Sequence, residues 1–87
     1  MWNFEYSDDF IPQLEALPKP IKKKAKDALD LLANSERPTR LGVFKKSMRV
    51  FAYELGQSYR ILYGTRSKDN VIELIRVGDH KQVYGKD

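Results

Sequence analysis

The sequence has no cysteine and a single histidine. Without cysteine, neither a disulfide framework nor a thiolate metal site can supplement the core. The chain also lacks a Gly-rich phosphate loop, a pair of helical histidines and a GxSxG elbow. These absences exclude P-loop hydrolases, zinc peptidases of the HExxH type and α/β-hydrolases, and we expect neither a metal nor a cofactor. No apolar run approaches the roughly 18 residues that a membrane span needs.

The composition indicates one small basic domain, which we expect over residues 1–87. There are 16 Lys and Arg against 12 Asp and Glu, giving a net charge of +4. This balance favours an anionic partner, either nucleic acid or an acidic protein, although a merely soluble basic protein fits as well. The opening residues, MWNFEYSDDF, carry acidic side chains where a signal peptide carries basic ones, so we expect a cytoplasmic protein.

The first third of the chain predicts a strand followed by two helices. Residues 2–6 alternate aromatic and polar side chains, the period of a strand. Ser7 or Asp9 can cap the first helix, and a cap at Asp9 keeps Pro12 in the first turn. That helix ends at the Leu17–Pro18 junction, since the residue before proline disfavours the α region. A second helix then runs to Asn34, with one apolar stripe formed by Ile21, Ala25, Ala28, Leu29 and Leu32.

Residues 35–47 are predicted to form a connecting segment over the body of the domain. Basic residues are frequent in and just after it: Arg37, Arg40, Lys45, Lys46 and Arg49. Because apolar residues lie between them, the segment can follow a sugar-phosphate backbone. A plain basic loop explains the same pattern equally well.

Three further strands are predicted, over residues 48–55, 58–63 and 71–77. Gly56–Gln57 fits a tight turn between the first two, and Asp69–Asn70 are turn formers before the last. The last strand is so rich in Val, Ile and Leu that we expect it inside the sheet, covered on both faces. The order β-α-α-β-β-β predicts an α+β domain with one sheet face under the helical hairpin.

Four stretches together resemble toxins of the RelE/ParE superfamily: residues 7–29, 51–56, 59–63 and 75–84, which read SDDFIPQLEALPKPIKKKAKDAL, FAYELG, YRILY and IRVGDHKQVY. The resemblance implies an antiparallel-rich curved sheet packed against an N-terminal helical hairpin. It also implies the toxin of a type II toxin–antitoxin pair, neutralised by an acidic cognate antitoxin in a hetero-oligomer. RelE-like members cleave mRNA in the ribosomal A site, whereas ParE-like members inhibit DNA gyrase and are not nucleases.

The ending of the chain is more similar to the RelE-like branch, so the resemblance implies a ribosome-dependent mRNA endoribonuclease. The sequence departs from that pattern at Phe51, Tyr53 and Glu54, near positions where the family often has basic residues. His80 stands where an arginine is frequent. These departures favour the alternatives: a non-enzymatic ParE-like gyrase inhibitor, or a degenerate member that only binds its antitoxin. An unrelated basic RNA-binding domain is a third alternative.

RNA cleavage without a metal needs a base for the 2′-hydroxyl, a cation for the phosphorane and an acid for the leaving oxygen. Histidine is the side chain suited to proton transfer near neutral pH, although His80 can also be a solvated loop residue. Arg60 can bind the phosphate in a bidentate manner, unless it forms an internal salt bridge with Glu54 or Glu73. Tyr84 can donate a proton or stack on a base.

We therefore predict a catalytic set and an RNA-binding set of residues. The catalytic set is Arg60, His80, Tyr84 and Lys81. The RNA-binding set is Lys45, Lys46, Arg49 and Arg76, which would add positive potential and hold the backbone. Alternation along the strand predicts that Arg60 faces away from Tyr59, Ile61 and Tyr63, on the working face of the sheet if those three pack under the helices.

Overall fold

The computed structural model describes residues 1–84. These residues form one mixed sheet with α-helices on both faces and short connecting elements. The strands are β1 (Asn3–Tyr6), β2 (Val43–Lys45), β3 (Val50–Gly56), β4 (Tyr59–Arg66) and β5 (Val71–Asp79). The α-helices are α1 (Phe10–Glu15), α2 (Lys19–Asn34) and α3 (His80–Tyr84), and a 3₁₀ helix spans Pro38–Arg40. Among the described residues, no helix has the length and apolar character required to cross a membrane.

The five strands lie in the order β1-β5-β4-β3-β2. β1 pairs parallel with β5, and every other neighbouring pair is antiparallel. The predicted α+β class with an antiparallel-rich sheet and an N-terminal helical hairpin is confirmed. β5 is an interior strand, as its apolar composition predicted, because it lies between β1 and β4.

Three elements were not predicted, and all of them are short. The segment 35–47, predicted as a connection, contains the 3₁₀ helix and the edge strand β2. The segment after β5, predicted as a tail, forms α3 and begins at His80. Three or five residues are too few to show the periodicity of a strand or a helix, so pairing with β3 and packing on the sheet decide their conformation.

The starts of the first two helices follow the proline pattern of the sequence, whereas α1 ends at Glu15, before the predicted Leu17–Pro18 junction. Asp9 is the N-cap of α1, so Pro12 lies in the first turn, where a missing N–H costs no helical hydrogen bond. Pro20 occupies the first turn of α2 in the same way. Ser7 is not the cap: its hydroxyl donates a hydrogen bond to the Ile75 carbonyl at 2.5 Å and ties the β1–α1 link to β5.

Apolar side chains cover both faces of the sheet. The helix-side core consists of Phe10, Leu14, Leu17, Ile21, Ala25, Ala28, Leu32, Leu55, Ile61, Tyr63, Ile72, Leu74 and Val77. A smaller cluster on the opposite face, here called the α3-side cluster, consists of Val50, Ala52, Leu62 and Val83, with Ile75 and Tyr84 packed against it. Both Leu62 and Val83 are fully buried, and burial of such side chains contributes about 1.5–3 kcal/mol each.

Two irregularities set the register of β4 against its neighbours. In the β3–β4 turn, Gly56, Gln57 and Ser58 all have positive φ, at 91°, 51° and 69°. This turn places Glu54 opposite Arg60. Between β4 and β5 the register shifts, because Leu62 pairs with Arg76 while Tyr63 pairs with Leu74.

The 3₁₀ helix is attached to the sheet through Tyr63, whose side chain is fully buried. Its hydroxyl donates a hydrogen bond to the Pro38 carbonyl at 2.7 Å, and burial raises the pKa of Tyr63 to about 12. A Cβ on Gly42 would lie 2.6 Å from the Tyr63 hydroxyl oxygen and 3.0 Å from the Ala52 carbonyl oxygen. Glycine at position 42 therefore permits the close approach that this hydrogen bond requires.

Arg66 joins the first strand to the last two at the far end of β4. Its guanidinium donates hydrogen bonds to Glu5 at 2.7 and 3.0 Å, to Asp69 at 3.2 Å, and to Glu73. The hydrogen bond from Arg66 lowers the pKa of Glu5, and the same contact raises the pKa of Arg66. Glu73 is therefore the partner of Arg66, not of Arg60.

We predict that Tyr63→Phe lowers the free energy of unfolding by about 1–2 kcal/mol, because the Pro38 carbonyl loses its donor. Gly42→Ala is expected to cost less in the Tyr63→Phe background than in the wild type, since the oxygen nearest the new methyl group is gone. Urea unfolding of the four proteins measures this coupling. Strictly additive effects would contradict it, and Tyr59→Phe is the matched control, expected within about 0.5 kcal/mol of wild type.

We predict that Arg66→Met destabilises the protein at neutral pH by an amount that shrinks in acid. The folded pKa of Glu5 lies below its ordinary value of 4.5. The contribution of this pair is therefore complete above pH 4.5 and is lost as the pH falls through the lowered folded pKa. Urea midpoints between about pH 3 and pH 7 measure the gap between wild type and variant. A gap that does not change with pH would refute the assignment, and Arg37→Met, in an exposed loop, is the control.

Candidate functional site

The candidate site lies across three adjacent strands at the end of the sheet where β5 passes into α3. The register places Glu54 of β3 opposite Arg60 of β4, and Arg60 opposite Gly78 of β5. His80 then begins α3 two residues beyond Gly78. Adjacent strands are about 4.8 Å apart, so this row spans about 10 Å from Glu54 to Gly78.

Arg60 is on the α3 side of β4, as strand alternation predicted. Tyr59, Ile61 and Tyr63 pack in or against the helix-side core. The Arg60 guanidinium carbon lies 5.6 Å from the centre of the Tyr84 ring. At this distance the ring face attracts the cation.

The Arg60 guanidinium is held between a carboxylate and an aromatic ring. Its Nη2 donates a hydrogen bond to Glu54 Oε1 at 3.3 Å. The Arg60 side chain is only 13% exposed, whereas the Glu54 side chain is 67% exposed. The Arg60 Nε is buried and has no hydrogen-bond partner among the described residues. Arg60 is thus a nearly buried cation with one unpaired donor among the described residues, and solvent reaches the pair through Glu54.

Tyr84 connects Arg60 to the histidine. The His80 and Tyr84 rings meet edge to face, with centroids 4.6 Å apart and planes at 62°. His80 is exposed, while the Tyr84 hydroxyl is buried and unpartnered within residues 1–84. Arg60, Tyr84 and His80, predicted separately from the sequence, are therefore neighbours in space. Lys81 is exposed and follows His80 in α3.

The predicted RNA-binding residues lie on separate elements. Arg76 NH1 donates a hydrogen bond to the Val83 carbonyl at 3.2 Å, so this arginine contacts α3. Lys45 ends β2, and Lys46 and Arg49 lie in the turn that follows. The residue opposite Lys45 is Val50. Val50 lies about 13 Å along β3 from Glu54, at about 3.3 Å per residue.

The sequence left open whether Arg60 pairs with Glu54 or with Glu73, and in the structure it pairs with Glu54. The signal that decides it is the turn between β3 and β4: a loop of this length aligns Glu54 with Arg60, whereas Glu73 is at the other end of β5, opposite Gly64. Phe51, Tyr53 and Glu54 predict a loss of positive charge from the strand before this turn. In the structure, Glu54 instead brings a carboxylate to the arginine.

The arrangement is able to bind an anion and to move protons. A cation fixed by packing binds a phosphate with little loss of side-chain entropy. A carboxylate and an imidazole flank it, and both are exposed to a ligand in solvent. No cluster of three or more metal-ligating side chains (His, Cys, Asp or Glu) occurs in the part of the chain that the structure describes.

One comparison with known proteins shows the family. The family whose sequence model matches this chain is the ParE toxin of the type II toxin–antitoxin system parDE, over residues 4–84. No curated protein matches the chain at a significant level.

Several solved structures have the same fold at low sequence identity. The toxin in the RelBE toxin–antitoxin complex of E. coli is 18% identical, with a TM-score of 0.75 over 91% of this chain and 96% of that chain. For the archaeal RelE–RelB complex of Pyrococcus horikoshii the identity is 19% and the TM-score 0.70, over 90% and 93% of the two chains. A metal-bound toxin from Helicobacter pylori is 17% identical, with a TM-score of 0.72 over 95% and 99%.

The match to the ParE model extends from β1 to the end of α3. It includes the strands, the helical hairpin and every residue of the candidate site. The resemblance that the sequence showed is therefore confirmed at the level of the superfamily. The chain belongs to the RelE/ParE superfamily and is a toxin of a type II toxin–antitoxin system.

Proposed function

We propose that this toxin is an endoribonuclease that cleaves mRNA on the ribosome, in the cytoplasm, without a metal ion. The observation that carries the proposal is the Arg60 guanidinium, held 3.3 Å from Glu54 and 5.6 Å from the Tyr84 ring, with the His80 imidazole edge to face against the same ring. A carboxylate, a cation and an imidazole are the three groups that cleavage by the 2′-hydroxyl needs.

In the proposed reaction the scissile phosphate binds Arg60. The Glu54 carboxylate accepts the proton of the 2′-hydroxyl, and the 2′-oxygen forms a bond to phosphorus. Arg60 stabilises the negative charge of the pentacoordinate intermediate. The bond from phosphorus to the 5′-oxygen then breaks, and that oxygen takes a proton from His80. The products are a 2′,3′-cyclic phosphate and a free 5′-hydroxyl.

Tyr84 and Lys81 support this chemistry in different ways. Tyr84 contacts both Arg60 and His80, so it fixes their relative positions and presents a ring on which a base can stack. Lys81 is exposed beside His80 and adds positive potential where the RNA would lie. Lys45, Lys46 and Arg49 lie about 13 Å further along β3 and would hold the RNA backbone on one side of the cleaved bond.

Dependence on the ribosome follows from how little the chain offers for substrate positioning. One acid or base contributes about 10²–10⁴-fold, and the site has a single fixed cation. Ordering of the mRNA by a large partner supplies the remaining positioning, because a substrate held in a near-attack geometry loses no further entropy on reaction.

We propose an acidic antitoxin as the partner that neutralises this toxin in a hetero-oligomer. The chain carries a net charge of +4, and two structures with the same fold are complexes of a RelE toxin with the antitoxin RelB. Charge complementarity speeds the encounter of such partners.

A second candidate function is inhibition of DNA gyrase without nuclease activity. It is favoured by the ParE family model that matches the chain, and by Glu54, which offsets the charge of Arg60. In that case expression would arrest growth with intact mRNA, and purified toxin would inhibit DNA supercoiling. A degenerate member would bind its antitoxin without arresting growth.

We predict that Arg60→Met lowers mRNA cleavage on purified ribosomes by about 10²–10³-fold, because the fixed cation at the phosphate is lost. Adding Tyr84→Ala is expected to abolish both cleavage and growth arrest. Primer extension on ribosome-bound mRNA maps the cuts. Lys23→Met, on the exposed surface of α2, removes the same charge and should cleave as wild type. Growth arrest by the double variant at wild-type strength would exclude this site.

We predict that Glu54→Gln lowers cleavage by about 10²–10⁴-fold, because the base is lost while the side-chain size is kept. If Glu54 served only to neutralise Arg60, the same variant would bind RNA more tightly and cleave faster. Single-turnover cleavage as a function of pH separates the two results. Glu36→Gln, an exposed glutamate in the α2–β2 connection, controls for the change in net charge.

A further inference from the structure

Arg76 was predicted as an RNA contact, but its surroundings suggest another role. It is half-buried on β5, and its NH1 donates a hydrogen bond to the main-chain carbonyl of Val83 at 3.2 Å. Val83 lies in the last turn of α3. Carbonyl groups at the C-terminal end of a helix have no partner within the helix and carry partial negative charge, so a guanidinium is a favourable partner for them.

The helix that Arg76 contacts cannot be stable by itself. α3 has five residues, and isolated helices shorter than about 12 residues are marginal in water. Its position therefore depends on tertiary contacts. The apolar contact is Val83, which is fully buried against Val50, Ala52 and Leu62. Arg76 supplies the polar contact to the same residue.

A local irregularity of β5 aims this part of the strand at α3. Leu74 pairs with Tyr63 and Arg76 pairs with Leu62, so Ile75 is an extra residue in β5. Ile75 packs against the α3-side cluster, and the next residue, Arg76, binds Val83. Bulges of this kind redirect side chains and are frequent next to active sites.

Tyr84 follows Val83 directly, and its ring lies against both Arg60 and His80. We propose that Arg76 is a positioning residue: by binding the Val83 carbonyl it holds α3 on the sheet and so places the Tyr84 ring against Arg60 and His80. The inference rests on the proposed function of the same site. It assigns to Arg76 an effect on the catalytic groups through α3, in place of a contact with the RNA phosphate.

The test compares Arg76→Met, which keeps the side-chain length without the charge, with Lys46→Met, which removes one positive charge from the β2–β3 turn. NMR of the free toxin measures hydrogen exchange of the Tyr84 amide and the ring-current shifts of the His80 imidazole protons. Arg76→Met should speed Tyr84 exchange roughly tenfold and move the His80 signals towards those of an unstructured peptide, while the Ile61 and Leu74 amides stay protected. Lys46→Met should leave all these signals unchanged.

Binding to ribosomes supplies the second measurement. The ribosomes are programmed with an mRNA whose A-site codon carries 2′-O-methyl groups, so that the RNA binds but is not cleaved. Lys46→Met should reduce the salt dependence of binding by about one phosphate contact, and Arg76→Met should not. On cleavable mRNA, Arg76→Met should slow cleavage, and Arg76→Lys, which restores a charged donor, should recover most of it.

The proposal would be overturned if Arg76→Met left both the Tyr84 amide exchange and the His80 chemical shifts unchanged. If the salt dependence of ribosome binding also fell in that variant, Arg76 would be an RNA contact. If wild type cleaves no mRNA while Arg76→Met still disturbs Tyr84 and His80, the nuclease assignment fails but the positioning of α3 by Arg76 stands. If Arg76→Met does not fold, Arg76→Gln replaces it, because it also removes the charge and is too short to span the distance that the guanidinium covers.

Discussion

Strand alternation along β4 is the constraint on which the rest of the structure depends. Since Tyr59, Ile61 and Tyr63 pack in or against the helix-side core, Arg60 and Leu62 face the opposite side of the sheet, where α3 lies. Leu62 then needs cover, which Val83 of α3 supplies. Arg60 faces the same side, where Glu54 and the Tyr84 ring partner its charge while its Nε has no partner among the described residues. The position of the site is thus a consequence of burying a central strand on both faces.

Most of the fold follows from local rules that a sequence displays. Prolines at 12, 18 and 20 define the two helices, the alternation of residues 2–6 identifies the first strand, and the apolar composition of residues 71–77 identifies an interior strand. The parallel pairing itself has no local signature, because it joins segments far apart in the chain. β2 and α3 were missed for a different reason: their conformation is decided by the surfaces on which they lie, not by their own three or five residues.

The candidate site was predicted in part. Arg60, His80 and Tyr84 were recognisable from residue type and from the resemblance to the family, and the structure brings them together. Whether Glu54 or Glu73 pairs with Arg60 depends on the register of the β3–β4 and β4–β5 hairpins. The turn between β3 and β4 and the register shift at Ile75 both contribute to it. The partner of Arg76 is a main-chain carbonyl of a helix that the pattern did not reveal, so composition alone favoured a phosphate.

The parallel pairing of β1 with β5 affects how the chain folds during its synthesis. The Ser7 hydroxyl meets the Ile75 carbonyl 68 positions later in the chain. Contacts of such long range form late, because the intervening chain must first be closed into a loop. During synthesis, β4 has neither β5 beside it nor α3 above it until those residues have left the ribosome, and domains fold as units as they emerge. A nascent chain therefore carries no assembled candidate site until β5 and α3 have both left the ribosome.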